Sequence, residues 1–168
     1  MILDEQRGLR EQFAEHADES WLYFFALFGR FEYAMKEVGW LVQGRRRPFA
    51  EWDDVARILS DEFWERFRNC AATAVLFDEP ARERELVNGQ AVWPDVPPRP
   101  PSDNVSLFRG LKKIRNNLFH GDKSVGRERD QALVAAGVAI LDETWSMIRD
   151  TPDAQGFRFA FLGAPNNG

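Results

Sequence analysis

Residues 21–43 read WLYFFALFGRFEYAMKEVGWLVQ, and this stretch indicates the fold class. Its apolar side chains recur at alternating spacings of four and three residues, at Phe24, Phe28, Phe31, Met35, Val38 and Val42. That period places apolar residues on one face of an α-helix. Glu32 and Lys36 lie four residues apart on another face, in the order that favours an ion pair. We therefore predict one amphipathic helix over Trp21–Gln43, with Glu32 and Lys36 as a surface pair.

A second helix is predicted over Glu51–Ala72, after a turn at residues 44–48. Gly44 and Pro48 bound that turn because both residues interrupt helices. Asp53 favours a helix start near residue 51, since acidic side chains stabilise the first turn. The apolar face of this helix consists of Trp52, Val55, Leu59, Phe63 and Phe67.

Two more long helices are predicted in the second half of the chain. The third begins at Ser102 or Asp103, either of which can cap a helix, and Gly121 ends it. The fourth covers Arg127–Arg149. The core-facing residues of the third helix are Leu107, Leu111, Ile114 and Leu118. Those of the fourth are Leu133, Gly137, Ile140, Thr144 and Met147.

The segments before the third helix and after the fourth are not predicted to be long helices. Five prolines lie within residues 94–101, so Asn88–Pro101 is predicted to be a stiff loop. The sequence does not decide whether Ala81–Val87 forms a short helix before this loop. Phe157, Phe159 and Phe161 alternate with a period of two, so the tail from Pro152 is predicted to be an extended segment on the bundle. Together, the four long helices predict an all-α bundle of about four main helices.

Length and composition predict a single domain over residues 1–168 with a substantial core, because 44% of the residues are hydrophobic. Cys70 is the one cysteine, which excludes an intrachain disulfide, and we expect it to be a small buried residue. The longest apolar runs are about half the length that a bilayer requires, and no signal peptide is visible. We therefore expect a cytoplasmic protein without a membrane partner.

The formal net charge of −5 is unevenly distributed. Residues 107–123 have a net charge of +4 and the rest of the chain −9. The charged residues of this segment are Arg109, Lys112, Lys113, Arg115, Asp122 and Lys123. This balance excludes a general RNA-coating protein and permits a focused RNA site.

The candidate functional residues lie at the end of the third predicted helix. Asn116 and His120 lie four residues apart on a polar face, and Arg115 borders that face. An imidazole near its titration point can transfer protons, and a guanidinium can bind a phosphate through two parallel hydrogen bonds. Spacing alone leaves a second interpretation open, in which His120 is a cap or a surface residue and Arg115 is a solvated charge or an interface contact. His16 and His120 have no nearby ligand at helical spacing, so we expect no metal and no cofactor.

The run Arg115-Asn116-Asn117-Leu118-Phe119-His120 resembles the Arg-x4–6-His signature of the HEPN superfamily. Residues 28–36 resemble the first-helix segment of stand-alone bacterial HEPN proteins, and a Pro-rich excursion before the motif helix also fits. The resemblance covers most of the chain. It implies a HEPN-like helical bundle in which the motif ends the third helix.

The resemblance also implies a function. Many HEPN proteins are metal-independent endoribonucleases, and many act as toxins of toxin–antitoxin pairs or as defence effectors, typically as homodimers. It makes His120 the acid–base residue, Arg115 the phosphate clamp and Asn116 an orienting residue. Lys112, Lys113 and Lys123 would then bind RNA, a second copy would dock near the motif helix, and an antitoxin protein is a possible partner. Glu32 and Lys36 could point from the first helix toward the cleft between the two motifs, although a surface ion pair is favoured. The alternative is a non-catalytic HEPN-fold module that binds RNA, a nucleotide or a protein.

Overall fold

The computed structural model describes residues 19–119 and 128–163, and most of them are helical. The all-α prediction is confirmed at this level. The helices are α1 (Glu19–Glu37), α2 (Trp52–Ile58), α3 (Asp61–Arg68), α4 (Ala74–Asp78), α5 (Asn104–Phe119), α6 (Glu128–Arg149) and α7 (Gln155–Leu162). Two short strands, β1 (Glu85–Val87) and β2 (Gln90–Val92), pair antiparallel. Among the described helices, none combines the length and apolarity of a bilayer-spanning segment.

Each of these helices contributes to one cluster of buried hydrophobic residues. Trp52 of α2 lies near its centre and is 1% exposed. Its ring centroid lies 4.4 Å from that of Phe28 on α1 and 5.7 Å from that of Phe108 on α5. Burial of one such phenylalanine stabilises the fold by about 1.5–3 kcal/mol. Trp52 of α2 thus links α1 and α5 within the core.

Helices α1 and α6 approach each other closely at Gly137. A Cβ atom at this position would lie 2.6 Å from Cε2 of Phe24, a ring that is fully buried. The predicted inner face of α6 is confirmed at Leu133, Gly137, Ile140 and Thr144, which are buried. Met147 packs against the core but is only partly buried.

Helix α1 ends at Glu37, so the prediction of a helix up to Gln43 is wrong. Gly39 has a φ of 78°. Only glycine adopts this conformation readily, and the chain turns there. It then forms a loop whose ends pair as a β-bridge between Leu41 and Ala50. Val42 is part of this loop, and its N–H donates to the carbonyl of Phe49. The turn predicted over residues 44–48 lies in this loop.

The single helix predicted over Glu51–Ala72 is wrong as well, because it is split into α2 and α3. Leu59 between them is extended, with φ −84° and ψ 139°, and Ser60 takes the N-cap position of α3. The carbonyl of Leu59 accepts a hydrogen bond from Asn104 Nδ2 at 3.2 Å, instead of taking part in a continuous helix. The predicted face is nevertheless buried at Trp52, Val55, Leu59, Phe63 and Phe67. Cys70 follows α3 and is only partly buried, contrary to expectation.

Strands β1 and β2 form a β-hairpin, so the end of the segment Ala81–Val87 is a strand and not the short helix that the sequence allows. Asn88 and Gly89 have φ values of 52° and 79°. Positive φ at both positions suits the tight turn of a two-residue hairpin loop. Strand β2 therefore falls inside the predicted loop Asn88–Pro101, and that part of the prediction is wrong. Residues 94–101 form no regular element, as their prolines predict.

The C-terminal segment is helical, so the extended tail predicted from its period-two phenylalanines is wrong. In α7, Phe157 and Phe161 share one face, and Phe161 stacks on Trp145 at 4.1 Å between ring centroids. Arg30 of α1 donates hydrogen bonds to the carbonyls of Ala160, at 2.7 Å, and Phe161. These bonds satisfy carbonyl groups that a helix C-terminus leaves open.

Candidate functional site

Helix α5 contains residues 115–119 of the motif, and its N-terminus is capped as predicted. The Asp103 carboxylate accepts a hydrogen bond of 2.7 Å from the backbone N–H of Ser106. The backbone and side-chain hydrogen bonds from Ser106 lower the pKa of Asp103. Leu107 and Leu111 are fully buried on the inner face of α5. This face sets the rotation of the helix and thereby the direction of the polar residues at its end.

Arg115 is held between α5 and α1. One of its terminal nitrogens, Nη2, lies 3.6 Å from Oε2 of Glu32, and the other, Nη1, donates to Oδ1 of Asn116 at 3.1 Å. Its guanidinium carbon lies 5.7 Å from the centroid of the Phe28 ring. That separation is within the range of a cation–π contact. The Arg115 side chain is 33% exposed and that of Glu32 25% exposed. We call Arg115, Glu32, Phe28 and Asn116 the arginine cluster.

The arginine cluster orients a cation that solvent can still reach. A carboxylate, an amide oxygen and an aromatic face contact different parts of the guanidinium, which restricts its rotation. The separation from Glu32 exceeds hydrogen-bond distance, so this is an ion pair of modest strength in a half-exposed setting. In such a setting, a phosphate oxygen can replace the carboxylate at the guanidinium or bind the guanidinium beside it.

Two adjacent asparagines have different roles. Asn116 is half-buried and contacts Arg115, as an orienting residue would. Asn117 is 5% exposed, and its Nδ2 donates to the carbonyl of Arg82 at 2.6 Å. Asn117 therefore ties the chain that leads into β1 to the motif helix. Sequence reasoning did not assign it a role.

The predicted RNA-binding lysines are only partly within the described structure. Lys112 and Lys113 are half-buried on α5, and Lys113 Nζ lies 4.0 Å from a carboxylate oxygen of Glu83. His120, Gly121 and Lys123 lie outside the described residues, as does His16. The structure thus brings together Arg115 and Asn116 of the predicted site and leaves the placement of His120 and Lys123 as predictions.

The Pro-rich segment lies beside the motif helix. An open groove of about 270 Å³ is lined by Lys113 of α5, by the chain entering β1 and by Pro94, Pro97 and Pro98. A larger groove of about 670 Å³ continues along the same segment to Trp93 and Arg129. In the described part of the chain, no cluster of three or more His, Cys, Asp or Glu side chains is placed to hold a metal ion.

Glu32 and Phe28 of α1 complete the arginine cluster, although the sequence favours another role for each. The sequence favours a surface pair of Glu32 with Lys36 over an orientation toward the motif, and the structure instead pairs Glu32 with Arg115. Phe28 is predicted as a core residue only. Phe28 is indeed 2% exposed. The run 28–36 contains both residues, so the resemblance in that run was the signal that pointed to this part of α1.

Comparison of the chain with protein-family models, with curated proteins and with solved structures gave no match.

Proposed function

We propose that the protein is an endoribonuclease of the HEPN type that cleaves RNA without a metal ion. The observation that carries the proposal is the arginine cluster, in which a half-exposed guanidinium is oriented at the end of α5. His120 follows five residues later in the chain. The chain thus has a phosphate-binding group and a proton-transfer group within six residues, and these are the two functions that attack on a phosphodiester requires.

The proposed reaction begins at a ribose 2′-hydroxyl. In one form of the reaction His120 accepts its proton as the oxygen attacks the adjacent phosphorus, and water protonates the departing 5′-oxygen. In the other form water accepts the first proton and His120 donates the second. The bond from phosphorus to the 2′-oxygen forms and the bond to the 5′-oxygen breaks. Arg115 stabilises the negative charge that develops on the phosphoryl oxygens, and Asn116 orients Arg115. The products carry a 2′,3′-cyclic phosphate and a 5′-hydroxyl.

A second candidate function is supported by the same cluster. Arg115 already contacts Glu32 and Asn116, and such a contact can also serve only to join α1 to α5. In that case the protein is a HEPN-fold module that binds RNA, a nucleotide or a partner protein without cleavage. Its fold does not decide between the two functions.

The deciding experiment is incubation of purified protein with total RNA in the presence of EDTA. We expect cleavage by the wild type, and a loss of about 10²–10⁴-fold in His120→Ala, the size typical of general acid–base catalysis. His16→Ala is the matched control, because it removes the other histidine of the chain, and we expect full activity. Substrate with a 2′-O-methyl group at each position should resist cleavage.

Each other outcome has a defined meaning. Equal cleavage by wild type and His120→Ala would indicate a contaminating nuclease. RNA binding without cleavage would favour the non-catalytic module. Growth inhibition on expression that His120→Ala relieves would favour a toxin or defence effector and would direct the search to an antitoxin protein.

A further inference from the structure

The loop between α1 and α2 presents three consecutive arginines to solvent. Arg45, Arg46 and Arg47 are all exposed, and Phe49 beside them is 56% exposed. We call residues 43–49 the arginine loop. It lies beyond the C-terminal end of α1, the helix that also carries Glu32.

The arginine loop is anchored at its base. The N–H of Val42 donates to the carbonyl of Phe49 at 2.9 Å, and the N–H of Glu51 donates to the carbonyl of Trp40 at 3.0 Å. Trp40 in turn stacks on Phe157, with ring centroids 5.2 Å apart. The base is therefore part of the folded body, which reduces the entropy that a ligand must remove when it binds the loop.

The arginine loop differs in its charge pairing from most arginines of the described helices, although Arg30 and Arg158 also lack a carboxylate partner there. There, Arg57 pairs with Asp54, Arg66 with Glu143, and Arg109 with Asp53. Each of these guanidinium groups has a carboxylate of the protein as its counter-charge.

By contrast, Arg45, Arg46 and Arg47 make no side-chain hydrogen bond, ion pair or ring contact with any residue in the ranges 19–119 and 128–163. Three adjacent guanidinium groups without a carboxylate from this part of the fold repel one another, which is unfavourable for folding. The protein as a whole is acidic, with a formal net charge of −5, so this local excess of positive charge stands out. Their arrangement suits an external polyanion.

We propose that the arginine loop binds the phosphate backbone of single-stranded RNA. Guanidinium groups bind phosphates through paired hydrogen bonds, and successive arginines match successive phosphates along an extended strand. Phe49 adds an exposed aromatic face on which a base can stack. The choice of RNA as ligand rests on the proposed function, whereas the loop's contact with a polyanionic strand does not depend on cleavage.

The test compares two triple variants with the same net charge. Arg45→Ala/Arg46→Ala/Arg47→Ala removes the loop charges. Arg57→Ala/Arg68→Ala/Arg149→Ala removes three exposed arginines that pair with carboxylates elsewhere. Binding of a labelled 2′-O-methyl RNA oligonucleotide is measured by fluorescence anisotropy at several salt concentrations, with circular dichroism as a check of folding.

We expect the loop variant to bind the oligonucleotide at least about tenfold more weakly at about 0.1 M salt. The plot of log K against log salt has a negative slope, and its magnitude should decrease by about 2 in this variant. The control variant should retain the wild-type slope. Phe49→Ala should weaken binding about fivefold, the effect of losing one stacked base, with no change in slope.

Equal losses in the two triple variants would assign the effect to net charge and overturn the proposal. A second assay uses vesicles of phosphatidylcholine with a minor fraction of phosphatidylserine. Loop-dependent flotation with these vesicles, without loop-dependent RNA binding, would reassign the loop to an acidic membrane surface. Loop-dependent RNA binding by a wild type that does not cleave would retain this inference and reject the nuclease.

Discussion

The Arg115 side chain is held in place by its neighbours and is still accessible to solvent. Phe28 covers part of the guanidinium face, while Glu32 and Asn116 contact its two terminal nitrogens. These contacts come from two helices, so the orientation of Arg115 depends on how α1 packs against α5. In the proposed function, a phosphate would meet a guanidinium whose rotation is already restricted, and such preorganisation favours stabilisation of a transition state.

Glu32→Gln tests whether this support matters for cleavage. We expect the rate at saturating RNA to fall about 10- to 100-fold, since a misplaced clamp loses transition-state contacts. Affinity for an uncleavable 2′-O-methyl RNA should stay the same or increase, because Glu32 no longer competes with phosphate for Arg115. Single-turnover rates and anisotropy separate the two quantities.

Glu37→Gln, an exposed acid at the end of α1, is the control for the loss of one negative charge. Glu32→Asp keeps the charge and should recover part of the rate. Unchanged cleavage by Glu32→Gln would show that Glu32 does not position Arg115.

The pairing of Glu32 with Arg115 marks the limit of prediction at the residue scale. Arg115 and Asn116 follow from a local motif, and their contact with each other joins neighbours in the sequence. Glu32 lies 83 positions before Arg115, and only the packing of α1 against α5 brings the two together. Within α1, the spacing of four to Lys36 offered a plausible local partner, so a pattern confined to one helix favoured the wrong pair.

At the scale of elements, the buried faces were predictable but several ends were not. The apolar positions predicted to face the core from α2 and α3 are all buried, although the chain breaks at Leu59. At that break the carbonyl of Leu59 accepts a hydrogen bond from Asn104, 45 positions away, a contact that local sequence does not reveal. Likewise, α7 is helical because Phe157 and Phe161 pack on the core and Arg30 caps its end. Long-range contacts outweighed the local alternation of phenylalanines.

The approach of α1 to α6 predicts opposite effects for two glycine-to-alanine substitutions. At Gly137 the added methyl group would meet the buried Phe24 ring, whereas Gly110 lies inside α5 with open space around it. Gly137→Ala should destabilise the protein by about 1–3 kcal/mol, because overpacking outweighs the gain in helix propensity. Gly110→Ala should stabilise it by about 0.5–1 kcal/mol. Urea denaturation of both variants measures the two changes, and stabilisation by Gly137→Ala would mean that α1 and α6 do not approach as described.

The cap of α5 predicts a pH-dependent contribution to stability. Asp103→Ala should lower the free energy of unfolding by about 1 kcal/mol at neutral pH, as expected for an N-cap. The hydrogen bonds from Ser106 lower the pKa of Asp103, so the carboxylate stabilises the fold above its unfolded pKa. This contribution is lost as the pH falls through the lower, folded pKa.

The difference between wild type and Asp103→Ala should therefore shrink in acid below about pH 4. Asp103→Asn keeps a capping side chain that does not titrate there, so its difference from Asp103→Ala should persist. Thermal unfolding across this pH range distinguishes the two. A constant difference between wild type and Asp103→Ala would show that the carboxylate form is not what caps α5.

At the scale of the whole molecule, the proposed nuclease site would draw only Arg115 and His120 from each chain for phosphate binding and proton transfer. A two-fold homodimer with the motif helices facing each other would provide two of each in one cleft. It would also bring together two basic 107–123 segments from chains with a net charge of −5 each. RNA bound between them would offset the repulsion of these segments, so the dimer and the RNA site reinforce each other in the proposed function.

Mixing wild type with His120→Ala tests whether one cleft requires two chains. If it does, and subunits exchange freely, activity per total protein should follow the square of the wild-type mole fraction, because only wild-type pairs are active. An equal mixture would then retain about a quarter of the activity, whereas independent monomers would retain about a half. Mixing with His16→Ala should cause no loss and controls for dilution. A linear decline, together with a monomer by light scattering at micromolar concentration, would exclude the shared cleft and place the whole reaction on Arg115 and His120 of one chain.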